Sequence, residues 1–126
     1  MYAAPEDYPE DTELPVPLQW RVALKQIADA LVDGQEPAGI APLLCAPVDP
    51  RSLEISRENI AGYPDPIGPL TEATWVTSIC RRAADRWDLL IDLCCVDGSV
   101  SDLVLHARVR ADGGQYTLEV RLVYVP

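Results

Sequence analysis

His106 is the one histidine of this 126-residue chain. Two strand-like segments set acids and arginines around it. Residues 87–96 read Trp-Asp-Leu-Leu-Ile-Asp-Leu-Cys-Cys-Val. Period two places Trp87, Leu89, Ile91, Leu93 and Cys95 on one face, and Asp88, Leu90, Asp92 and Cys94 on the other. Residues 102–110 alternate Leu103, Leu105, Ala107 and Val109 against His106, Arg108 and Arg110. Residues 116–124 put Tyr116, Leu118, Val120, Leu122 and Tyr124 inside, with Glu119 and Arg121 outside. A pairing of Val96 near Asp102 sets Asp92 opposite His106 and Asp88 opposite Arg110. A pairing of Arg110 near Thr117 sets Arg108 opposite Glu119 and His106 opposite Arg121. The outer face then carries rows Asp92–His106–Arg121 and Leu90–Arg108–Glu119.

An aspartate beside a histidine fixes its tautomer and raises its basicity, so this face could do acid/base work or hold an anion. Such work needs a concave, water-shielded pocket, which a sheet face does not supply by itself. No G-x-S-x-G, H-E-x-x-H, P-loop or G-x-G-x-x-G motif provides a nucleophile, metal or phosphate site. Cross-strand charge pairs worth about 0.2–1 kcal/mol each are the plainer reading. No catalytic residue is assigned.

The four cysteines are Cys45, Cys80, Cys94 and Cys95. Adjacent Cys94 and Cys95 point to opposite faces of a strand and do not suit a mutual disulfide. With no C-x-x-C and a single histidine, the chain lacks the close ligand pairs of a zinc site. They read as reduced thiols packed as small hydrophobes, and neither metal nor cofactor is expected.

The elements that must position these residues follow from periodicity. Trp20, Leu24, Ile27 and Leu31 form one stripe of a helix over 18–33, with Pro17 suited to its first turn and Gly34 to its end. Residues 35–73 are proline-rich and loop-like, interrupted by a short helix over Ser56–Ala61. Residues 74–82 have strand chemistry. Asp97-Gly98-Ser99 and Asp112-Gly113-Gly114 are hairpin connectors. The expected fold is α+β, an N-terminal helix packed on a four-stranded antiparallel β-meander with a proline-rich connecting segment. Leu90, Cys94, Val104, Val123 and Val125 make the outer face half apolar, and residues 35–73 are the expected cover. Trp75, Trp87 and Tyr116 read as core or sheet-edge aromatics, and Arg81, Arg82 and Arg86 as a basic cluster beside a turn.

Apolar residues make up 48% and charged residues 24%, an ordinary globular balance. The formal charge is −10. It argues against nucleic acid and against an anionic membrane surface, since both need a basic face. Residues 1–17 hold Glu6, Asp7, Glu10, Asp11 and Glu13 with no basic residue. They read as an acidic, disordered arm ahead of one domain over 18–126. No stretch has the pattern of a secretory signal or a membrane span, so a cytoplasmic location is expected.

Four strings carry a resemblance. Glu72-Ala-Thr-Trp-Val-Thr-Ser-Ile-Cys80, Trp87-Asp-Leu-Leu-Ile-Asp-Leu93, Ser101-Asp-Leu-Val-Leu105 and Tyr124-Val-Pro126 resemble a family of small bacterial proteins known only as a domain of unknown function. The likeness spans about residues 15–126 and is tightest from 72 onward. It implies the helix-then-strands order and a bacterial, cytosolic setting. It assigns no chemistry to the acidic positions Asp92 and Asp102.

The expected function is non-enzymatic protein binding, immunity- or antitoxin-like, with another protein, basic in character, as partner. The expected surface comprises Asp88, Asp92, His106, Arg108, Glu119 and Arg121. The alternative is a small-ligand-binding protein or enzyme using the outer face around Asp92 and His106, with Cys94 nearby. A third expectation is self-association through an exposed last strand over 116–125.

Overall fold

Trp20, Leu24, Ile27 and Leu31 are all at most 2% exposed in the computed structural model, which describes residues 4–126. A 3-10 turn over Leu18–Trp20 leads into α1, Arg21–Val32. The strands are β1 (Glu13–Pro15), β2 (Leu43–Cys45), β3 (Ile67–Gly68), β4 (Ile79–Arg82), β5 (Trp87–Cys95), β6 (Val100–Asp112) and β7 (Gln115–Tyr124). Two further helices are α2 (Pro50–Ala61) and α3 (Thr74–Thr77). The class is α+β, but the sheet has seven strands, not four. Its order is β1-β4-β5-β6-β7-β2, with β3 paired to β5. β4 to β7 pair antiparallel in sequence order. The parallel β2–β7 pair makes the sheet mixed.

The extra strands come from segments read as arm and loop. Residues 4–17 are not detached, which corrects the reading of a disordered arm; its part at residues 1–3 lies outside the described residues. Pro5, Tyr8 and Val16 are buried. Trp87 Nε1 donates to the Pro5 carbonyl at 3.0 Å. Arg82 Nη1 donates to the carbonyls of Glu6 and Tyr8, and Asp11 N donates back to Arg82 O at 2.9 Å. β1 pairs with β4, Leu14 opposite Cys80. Charge density alone argued for disorder. A few well-spaced apolar side chains and an otherwise unpaired β4 edge outweigh it.

Residues 74–82 are split: α3 occupies 74–77 and only 79–82 pair as strand. α2 begins six residues earlier than Ser56. Asp49 caps it, accepting from Ser52 N at 3.0 Å, and Pro50 takes the first turn. The proline that looked like loop is a helix start.

The inner face of the sheet holds Leu89, Ile91, Leu105, Ala107, Val109, Leu118, Val120 and Val123, all at most 4% exposed. Trp20, Trp87 and Tyr116 meet edge to face, with centroids 5.2 to 5.8 Å apart. This geometry suits ring quadrupoles.

The last strand is covered at both ends of its outer edge. β2 covers residues 116–118 of β7. At Val123, the amide donates to Ser56 Oγ (2.9 Å) and the carbonyl accepts from Asn59 Nδ2 (2.8 Å). α2 thus replaces a neighbouring strand with two side chains.

Candidate functional site

Three departures from regular pairing decide which charged residues meet. The β5–β6 hairpin closes early. Gly98 N donates to Cys95 O at 2.9 Å and Cys95 N to Ser99 O at 2.8 Å. The Asp97 carboxylate accepts from Ser99 N at 2.9 Å, which stabilises the tight turn. That closure alone would set Asp92 opposite Asp102; an irregularity in the pairing between Asp92 and Cys94 takes two residues back, so the pairs from Asp92 to Trp87 stand two residues from the expected register. Asp88 faces Arg108, Leu90 faces His106 and Asp92 faces Val104. An even slide keeps every side chain on its face and changes only its partner.

The third departure is a bulge in β7. Ala107 pairs with Val120, but His106 pairs with Leu122, so Arg121 is the extra residue. The alternation inverts beyond it. Val123, opposite Leu105, is fully buried, whereas Leu122 and Tyr124 lie beside His106 and Val104. This corrects the placement of Leu122 and Tyr124 inside. The second hairpin is as expected: Asp112 pairs with Gln115 around Gly113 and Gly114, whose φ of +59° and +85° only glycine adopts freely.

The expected rows are accordingly corrected. One outer row runs Arg81–Asp88–Arg108–Glu119, and the next runs Ile79–Leu90–His106–Leu122. The row Asp92–His106–Arg121 does not form. Asp92 instead accepts from Thr77 Oγ1 of α3. Arg121 turns to Glu119, with Nη1 2.5 Å from Oε1.

Asp88 is the hub. Its Oδ1 accepts from Arg108 Nε at 3.2 Å and its Oδ2 from Arg86 Nε at 3.3 Å. His106 Nε2 lies 3.8 Å from Oδ1, too far for a hydrogen bond. Partial burial raises the Asp88 carboxyl, but hydrogen bonds from Arg108 and Arg86, and their charges, outweigh it; the net direction is down. For His106, burial lowers the pKa, Asp88 raises it, and Arg108 and Arg121 lower it again. The net is below the ordinary 6.5, so the ring is neutral at pH 7. At that pH the Asp88–His106 contact is therefore not an ion pair.

Side-chain exposures of 28% for Asp88 and His106 and 21% for Arg108 show that residues 35–73 do not close over this cluster. Those residues run instead along the sheet edges as β2, α2 and β3. Cys94 is buried, its sulfur against the Thr71 amide and hydroxyl, and it does not join the cluster. Burial pushes the Cys45 and Cys80 thiols up, to about 11 and about 12, with Glu36 and Asp88 adding to it. Neither is a thiolate nucleophile at neutral pH. Among the described residues, no group of three or more His, Cys, Asp and Glu is placed to hold a metal.

Of the six expected surface residues, then, four form one contiguous patch: Asp88, His106, Arg108 and Glu119. Arg121 borders it through the bulge, and Asp92 stands apart with Thr77. Arg86 was missed as a member, although its place two residues before Asp88 was the available signal. The outer face of β4 to β7 with its turn holds Arg81, Arg86, Arg108, Arg110 and Arg121 against Asp85, Asp88, Asp92 and Glu119. It is close to neutral, so the surplus acid lies around it. Glu6, Asp7, Glu10, Asp11 and Glu13 are all exposed along one edge.

A cavity of about 480 Å³ opens at the other end of β6 and β7. Sequence reasoning did not find it, because its walls come from four separate stretches. They are Glu58 and Asn59 of α2, the Gly62–Pro64 turn, Asp102 and Leu103 of β6, and Tyr124 and Val125.

No helix among the described residues is long and apolar enough to cross a membrane. A family model described as "Domain of unknown function (DUF7668)" matches residues 28–126, most of the chain. The chain belongs to that family. No curated protein and no solved structure matches it.

Proposed function

We propose that this member of DUF7668 is a non-enzymatic protein-binding module, which docks a partner on the outer sheet face. The observation that carries the reading is the Asp88 hub. Arg86 and Arg108 hold the carboxylate in place while leaving it a quarter exposed, and Leu90 and Leu122 flank His106 in the next row. A prearranged polar cluster beside half-buried apolar side chains loses little freedom on docking. The face is charge-balanced and the acid surplus rims it. The −10 charge therefore steers a basic protein toward it, and the balanced face sets register on contact. The partner is a basic protein, as in immunity or antitoxin pairs, and the setting is cytoplasmic. The rival reading, a ligand or catalytic site around Asp92 and His106, has less support: the two side chains turn to different partners, Thr77 and Asp88.

The test is a footprint. The full chain, captured with its partner from native lysate, is compared with the free chain by hydrogen exchange. Added protection over 88–92, 104–108 and 119–122 supports the reading. Protection confined to other surfaces overturns it.

A further inference from the structure

The cavity beside Tyr124 has a chemistry of its own. Its polar side chains include two carboxylates, Glu58 and Asp102, and no lysine, arginine or histidine lines it. Neither carboxylate stands in an ion pair among the described residues. Tyr63 Oη accepts from Asp102 N at 3.0 Å and donates toward Asp102 Oδ2 at 3.4 Å, which fixes that ring against the carboxylate. Asn59 spends its amide N–H on Val123 O, leaving its oxygen as an acceptor. Tyr63 and Tyr124 supply two aromatic rings. The cavity is thus rich in acceptors and aromatic surface and poor in donors.

We infer that this cavity seats the guanidinium or ammonium end of an arginine or lysine side chain, presented by the basic partner; the inference rests on the protein-binding reading above. An anion would meet two like charges and no cation. An apolar group would strip water from two carboxylates without pairing them, a large cost. A bare metal ion is much smaller than the space and finds only two carboxylates there, with no histidine or cysteine. A planar cation with an apolar stem satisfies every wall. Carboxylates take its N–H groups, and ring faces take its charge and stem. The volume lies within the range of about 300–1,000 Å³ usual for small-molecule sites. Location supports the link to docking. Tyr124 sits opposite Val104, one row beyond His106 and Leu122, so the cavity abuts the apolar end of the docking face.

The experiment is an NMR titration of the isotope-labelled full chain. The probes are Nα-acetyl-arginine N-methylamide, its lysine counterpart, and the uncharged citrulline counterpart of the same shape. The expected result is saturable shifts at Asp102, Leu103 and Tyr124 with a dissociation constant on the order of millimolar for the arginine probe. Citrulline, lacking the charge, binds at least about tenfold more weakly. The Glu58→Gln, Asp102→Asn variant loses the arginine response while its other amide signals stay in place. The inference is overturned by the absence of saturable shifts, by equal binding of citrulline, or by shifts centred on other acidic residues such as Asp97. The probe needs no partner, so its failure strikes the cavity assignment alone. A partner footprint that misses the sheet face overturns the docking reading and leaves the titration unchanged.

Discussion

Arg108 Nε lies 3.2 Å from Asp88 Oδ1, directly across the β5–β6 pair. The two residues were expected in different rows, and the early turn at Cys95–Ser99, with the irregularity between Asp92 and Cys94, brings them together. Arg86 completes the arrangement from the turn just ahead of β5, so one carboxylate answers two guanidinium groups.

Replacing Asp88 by Asn removes the charge both arginines answer. The side chain is 28% exposed, so solvent screens much of the attraction. We expect a loss of about 1–2 kcal/mol, measured by urea unfolding. A double-mutant cycle with Arg108→Ala yields a coupling of about 1 kcal/mol or less.

The shifts at His106 and Asp88 make stability depend on pH. The folded pKa of His106 lies below 6.5, so the unfolded chain takes up the proton first. Protons bound to the unfolded state exceed those on the folded state below pH 6.5, and stability falls as pH drops through that value. Asp88, also depressed, adds a second loss as pH falls below its ordinary 3.8. Urea midpoints from pH 8 to 3 check both. His106→Phe abolishes the first step and leaves the second.

The bulge at Arg121 reverses the ranking that strict alternation gives. Val123→Ala opens a hole opposite Leu105 and costs about 2 kcal/mol, while Leu122→Ala, on the half-exposed face, costs less than about 1. Deleting Arg121 removes the bulge and keeps Val123 inward, so it is tolerated better than deleting Leu118. Thermal unfolding of the four variants decides.

The N-terminal segment is held by particular bonds. The Asp11 amide, which donates to Arg82 O, exchanges slowly with solvent deuterium. Val16→Asp, which places a charge where the native side chain is 1% exposed, unfolds the segment and lowers global stability by several kcal/mol.

Much of this was legible in the sequence. α1, the inner faces of β5 and β6, and the Gly113–Gly114 turn all follow from periodicity and turn chemistry. Two kinds of feature were not. The slide of β5 on β6 depends on where the chain turns and on the irregularity between Asp92 and Cys94, and every even slide keeps the apolar residues inside. The bulge likewise has no compositional mark, since Arg121 suits an outward position in either register. Segments 4–17 and 35–73 look unstructured because their apolar residues lack a period. They order by adding to strands formed elsewhere, Leu14 on Cys80 and Leu43 on Tyr116. The candidate patch was therefore legible as a set of residues, and its pairing was not.

The proposed function has the outer sheet face engage a basic partner. Its most direct test is the affinity of the captured partner for the wild-type chain and for the Asp92→Lys, Glu119→Lys variant, at low and high salt. The expected result is binding at least about tenfold weaker for the variant at low salt, with a flatter salt dependence. Equal affinity and equal salt dependence in a variant with unchanged unfolding temperature would contradict it.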